Sequence, residues 1–126
     1  MTELFEAKDS DSPSPLPLAI PAASASVATN QQDWQSAGVE GFWIKPLYEN
    51  DQCKQRTWLM KVDAGAWSPA HAHDELEQIL VLEGSFYDEE KSYGPGDFIL
   101  RAPGAMHTAG SEQGAIVMLV YTSVNL

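Results

Sequence analysis

All nine glycines of this 126-residue chain lie from Gly38 onward, and with Pro46, Pro69, Pro95 and Pro103 they cut the sequence into short apolar runs. Runs recurring roughly every 8–12 residues between such turn residues read as β-strands, because packed helices need longer uninterrupted segments. Phe42-Trp43-Ile44 is one such run, closed by Pro46. Thr57 to Val62 alternates, with Trp58, Met60 and Val62 on one face and Thr57, Leu59 and Lys61 on the other. Glu77 to Glu83, Ser85-Phe86-Tyr87, Asp97 to Arg101 and Ala115 to Tyr121 follow, separated by Asp88-Glu89-Glu90, Tyr93-Gly94-Pro95-Gly96 and Pro103-Gly104. The stretch from Glu75 to Leu82 has a spacing that a helix tolerates, but its β-branched residues and the turn spacing favour a strand. The pattern predicts an all-β sandwich or barrel, and no 20–50-residue repeat divides it.

Residues before 33 have a different composition. From Ser10 to Thr29, fourteen of twenty residues are Ser, Pro or Ala, and four of the eight prolines sit there. Such a segment buries too little apolar surface to offset its ordering entropy, which predicts a flexible extension over residues 1–32 and one domain over 33–126. An arm packed on a partner subunit through Leu16, Leu18 and Ile20 is the alternative.

Eighteen acidic residues against seven basic ones leave a net charge of −11. That balance excludes a nucleic-acid partner and an anionic membrane surface, both of which recruit cationic side chains. There is no apolar run of membrane-spanning length. The acidic N-terminus and the Pro-broken Leu16-Pro17-Leu18-Ala19-Ile20 do not read as a signal peptide, so a cytoplasmic location is expected. The single cysteine, Cys53, cannot form an internal disulfide and is read as inert.

The chemistry is concentrated in three histidines. His71-Ala72-His73 puts two imidazoles on one face of an extended segment. Glu77 opens the next strand, and a turn through Asp74-Glu75-Leu76 brings its carboxylate back beside the rings. His107 follows the Pro103-Gly104 turn. Three neutral imidazoles and a carboxylate suit one first-row divalent metal, leaving coordination positions open.

The spacing Gly65, five residues, His71-x-His73, three residues, Glu77, six residues, Gly84 resembles the first cupin motif. Gly96, the Pro103-Gly104 turn and His107 resemble the second, with Ala102-Pro103-Gly104 and Ser111 departing from the usual Pro-x-Gly and Asn positions. Within cupins, Ile79 to Glu89, Tyr93-Gly94-Pro95-Gly96 and Arg101 to His107 resemble the cupin domain of the ChrR-type zinc anti-sigma factors. That group is similar in turn to the small acetylacetone-cleaving dioxygenases. The resemblance covers about residues 33 to 122 and implies a small jelly-roll barrel with His71, His73, Glu77 and His107 as metal ligands. Fe(II) or Zn(II) is the metal expected, with Mn(II) and Ni(II) also accepted by such donors.

Two functions are open on this reading. One is a metal-dependent dioxygenase acting on a small chelating carbonyl such as a β-diketone, with Trp58, Met60, Phe42 and Phe98 lining an apolar pocket. Arg101 would orient an anionic group there or sit in a surface ion pair. The other is a zinc- or ligand-binding sensor without turnover. A homodimer is expected from the edge strands of an open barrel, with the Phe42-Trp43 segment and the N-terminal arm as contributors.

Overall fold

A computed structural model describes residues 16–124. A single 3-10 turn, Thr29–Gln31, precedes ten strands: β1 (Gln35–Ser36), β2 (Phe42–Asn50), β3 (Gln55–Val62), β4 (Trp67–His71), β5 (Leu76–Gly84), β6 (Phe86–Tyr87), β7 (Ser92–Tyr93), β8 (Phe98–Arg101), β9 (His107–Gly110) and β10 (Ala115–Thr122). They form an antiparallel six-stranded sheet in the order β1-β2-β3-β10-β5-β8 and a four-stranded sheet in the order β4-β9-β6-β7. The two sheets make a jelly-roll sandwich with one core between them.

Alternation decides which side chains fill that core. Glu77, Ile79 and Val81 of β5, Val117, Leu119 and Tyr121 of β10, and Ile99 and Arg101 of β8 are all buried. From the smaller sheet, Phe86, Tyr93 and Ala109 close against them. The strand β2 runs through Pro46 instead of ending there, with a register shift between Pro46 and Tyr48. The proline is tolerated because β1 is two residues long and leaves that part of β2 as an edge, where a missing N–H breaks no ladder.

Residues 1–15 of the predicted extension lie outside the described residues. From Leu18 the chain is pinned to this edge: Leu18 N–H donates to Leu47 O at 2.8 Å, and Glu49 N–H donates to Leu18 O at 3.2 Å. Lys45, fully buried, donates from Nζ to Thr29 O at 2.6 Å and lies 4.6 Å from the Trp34 ring centre. Lys61 sits between the Trp34 and Trp43 rings at 5.3 and 5.7 Å. Phe42, expected at a dimer interface, is 5% exposed and belongs to the core.

Ser111 locks the return from β9 to β10. Its buried hydroxyl donates to Ser85 O and accepts from Gly114 N, while its own amide donates to Ala66 O. Replacing Ser111 by alanine takes the partner from a part-buried carbonyl and a part-buried amide, and is expected to cost about 1–2 kcal/mol as a lower urea midpoint at unchanged slope.

Candidate metal centre

The sandwich holds an open-mouthed cavity of about 380 Å³ lined by His71, His73, Glu77 and His107 together with Phe42, Trp58, Met60 and Arg101. The four residues expected to bind a metal come from three places in the fold. His71 ends β4, His73 follows it outside the strand, Glu77 is the second residue of β5, and His107 opens β9. His71 and His107 are cross-strand partners in the β4–β9 ladder. Although the strand stops at His71, the two neighbouring imidazoles stay close, with ring centres 5.3 Å apart and planes at 85°.

A row of side chains across the large sheet frames Glu77. The register places Arg56 beside Tyr121, Tyr121 beside Glu77, and Glu77 beside Arg101, on β3, β10, β5 and β8. Both arginines of the chain stand in this row. The Tyr121 hydroxyl hydrogen-bonds Glu77, and burial followed by the Glu77 charge raises its pKa. Its ring packs edge-on against His73 at 4.9 Å and against Trp58 at 5.8 Å. Arg56 lies 4.2 Å from the Tyr121 ring centre and pairs with Glu75 at 2.8 Å. Arg101, 7% exposed, reaches Glu77 Oε1 from Nε at 3.5 Å and Asp88 Oδ2 from Nη1 at 3.2 Å. Its ion pairs are therefore buried, not the surface pair expected from the sequence.

The placement of Phe98 also corrects the sequence reading. With Ile99 and Arg101 turned inward, period two turns Phe98 and Leu100 outward, where they are 56% and 60% exposed and outside the cavity. Tyr121, Arg56 and Asp88 went unnoticed because their proximity to the quartet depends on cross-strand register. Tyr121 carried one faint signal, as the polar end of an apolar strand.

The donor set fits a divalent transition metal. His71 Nδ1 lies 3.0 Å from Pro69 O, so it donates there and leaves Nε2 with a free lone pair, the tautomer a metal requires. Burial, and then the neighbouring His71, hold the His73 pKa below its ordinary value and favour its neutral, ligating form. As placed, the four do not close into a coordination shell: among the described residues no three His, Cys, Asp or Glu side chains stand close enough to hold an ion. Glu77 faces Arg101 and Tyr121. His107 Nδ1 is 3.0 Å from Glu89 Oε1, but off the ring N–H axis, so it makes no hydrogen bond.

Asp88 anchors the far side of Arg101. Burial pushes its carboxyl up, but the Lys91 and Glu90 amides, the Tyr93 hydroxyl and Arg101 outweigh that and hold the pKa below 3.8. A carboxyl depressed in the fold adds stability that is complete above its unfolded pKa and lost as pH falls through the folded one. The difference in melting temperature between wild type and Asp88→Asn is therefore expected to be constant from about pH 7 to pH 5 and to shrink below about pH 4. Thermal denaturation across that range measures it.

A two-sheet jelly roll with two histidines, a glutamate and a third histidine around its cavity defines a cupin. The chain belongs to the ChrR cupin-like family, whose model matches residues 22–125. Over 56 residues it is 38% identical to the anti-sigma-E factor ChrR of Cereibacter sphaeroides, an alignment covering 44% of this chain and 26% of that protein. The structure of Rhodobacter sphaeroides SigE in complex with the anti-sigma ChrR aligns with TM-score 0.62 at 27% identity, over 71% of this chain and 49% of that one. The chain thus spans about a quarter of the curated relative and half of the solved one. An RmlC-like cupin from Shewanella frigidimarina aligns with TM-score 0.66 at 23% identity, over 75% and 86% of the two chains, a likeness of fold. Among the described residues no helix is long and apolar enough to cross a membrane.

Proposed function

We propose that this protein is a metal-dependent cupin dioxygenase whose substrate is a small, uncharged, chelating carbonyl compound of the β-diketone kind. His71, His73, Glu77 and His107 would hold one divalent metal, Fe(II) for the dioxygenase, with Zn(II) the alternative occupant. Such an ion supplies Lewis acidity, and iron adds redox chemistry with dioxygen. The observation that carries the substrate class is the charge balance of the cavity. Among the described residues Arg101 is the sole lysine or arginine in its lining, and it already faces two carboxylates, Glu77 and Asp88. Apart from the metal itself, a carboxylate ligand would find no uncommitted lysine or arginine among the described lining residues, whereas Trp58, Met60, Phe42, Ile44 and Leu119 offer an apolar wall suited to a neutral one. Tyr121, at the cavity wall, keeps its proton and donates it in a hydrogen bond to Glu77.

The likeness to ChrR supports a second reading, a zinc- or ligand-binding sensor module without turnover. Metal analysis of protein purified without added metal, followed by oxygen consumption of the iron-reconstituted protein with a panel of β-diketones and hydroxyketones, separates the two. Uptake with at least one compound is expected. Tightly held stoichiometric zinc and no uptake with any compound would remove the dioxygenase and leave the sensor. A homodimer belongs to the same reading, supported by Phe98 and Leu100 on the outward face of the edge strand β8. A single-chain mass by light scattering overturns it.

A further inference from the structure

We infer that Arg101, anchored by Asp88, is a positioning residue that fixes the orientation of the Glu77 carboxylate and so sets how tightly the centre holds its metal. The inference rests on the metal-binding reading above. Three observations carry it. The β5–β8 register sets Arg101 directly beside Glu77, so the contact is built into the strand pairing. Both side chains are nearly buried, at 7% and 11% exposure, where a guanidinium needs partners and water does not supply them. The far end of the guanidinium is itself held: Asp88, 1% exposed at its side chain, accepts from Glu90 N at 2.8 Å, Lys91 N at 3.1 Å and the Tyr93 hydroxyl at 3.0 Å as well as from Arg101.

The chain of contacts runs from the β6–β7 turn of the small sheet, through Arg101, to Glu77 on the large sheet. It ties the orientation of one ligand to the closure of the sandwich at that end. Arg101 Nε faces Oε1 of Glu77 at 3.5 Å, so the guanidinium charge biases which way the carboxylate turns. Outer partners of this kind orient a ligand and keep it ionised, and their loss costs about 10- to 100-fold in metal affinity. Asp88 and Tyr93 do not line the cavity; Asp88 touches Arg101 directly, and the same turn meets His107 through Glu89.

Cobalt(II) is the probe, its affinity measured by competition with a chromophoric chelator and its coordination by its visible absorption. Arg101→Lys keeps the charge but loses the fork that spans two carboxylates, and Asp88→Asn removes the anchor. Each is expected to weaken cobalt binding about 10- to 100-fold and to alter the spectrum. In a Glu77→Gln background the same changes are expected to have no further effect, because the ligand they orient is gone. Tyr93→Phe, which removes one contact to Asp88, serves if Asp88→Asn does not fold, and should weaken binding in the same direction. Cobalt affinity and spectrum unchanged in Arg101→Lys, Asp88→Asn and Tyr93→Phe, with binding weakened in Glu77→Gln, would overturn the positioning role alone. A wild-type protein that binds no cobalt overturns the metal centre itself.

Discussion

Gly84→Ala is expected to cost about 4 kcal/mol or more, enough to leave much of the protein unfolded at 37 °C. Gly84 ends β5 at φ +76°, a left-handed conformation that a Cβ already disfavours. The larger part of the cost is steric. A Cβ built there lies 1.9 Å from the Gly114 carbonyl oxygen and 2.8 Å from its carbon. That carbonyl accepts the Ser85 amide at 3.1 Å, and Gly84 is the cross-strand partner of Ala115 at the start of β10. The clash cannot be relieved by a side-chain rotation, since the atom in the way is backbone; relief means parting β5 from β10 at the centre of the large sheet. Urea denaturation followed by tryptophan fluorescence measures the loss. A midpoint within experimental error of wild type would show that this approach is not needed.

His107→Ala, on the proposed ligand set, is expected to lower metal affinity by more than about 100-fold, since even partners one shell further out cost 10- to 100-fold. His107 opens β9 opposite His71 and lines the cavity outside the buried apolar cluster, so its removal takes little apolar area out of the core. The fold is expected to survive, with the melting temperature of the metal-free protein within a few degrees of wild type. Metal content after dialysis against a chelator, read beside thermal denaturation, separates the two effects. Full occupancy in the variant would remove His107 from the ligand set.

Much of this follows from local pattern. Alternation in Thr57–Val62 put Trp58 and Met60 on the inward face, and both line the cavity. The burial of Ile79 and Val81 behind Glu77 likewise follows from period two within β5. Where alternation is missing, the phase is not readable. Phe98-Ile99-Leu100 is apolar on both faces, and only the pairing of Arg101 with Glu77 decides that Phe98 points outward. The same holds for Ala115–Tyr121, an apolar run whose two faces look alike. Its register against β5 is what sets Tyr121 beside Glu77 and within 4.9 Å of His73. Pro46 misled for a related reason: a proline ends a strand inside a sheet but not along an edge, and which strands are edges is a property of the whole sheet.

By itself the order of residues determined the all-β class, the two glycine-punctuated motifs and the four side chains proposed to meet a metal, because each depends on spacing over a few residues. Only the tertiary structure decided the surroundings of that quartet: the row of Arg56, Tyr121, Glu77 and Arg101, the Asp88 anchor behind it, and the balance of charge that leaves the cavity without a spare lysine or arginine among the described residues. Those neighbours come from β3, β10, β5, β8 and the turn after β6. They are brought together by ladder hydrogen bonds between strands far apart along the chain, and their register is fixed by how both sheets bury their inner faces at once.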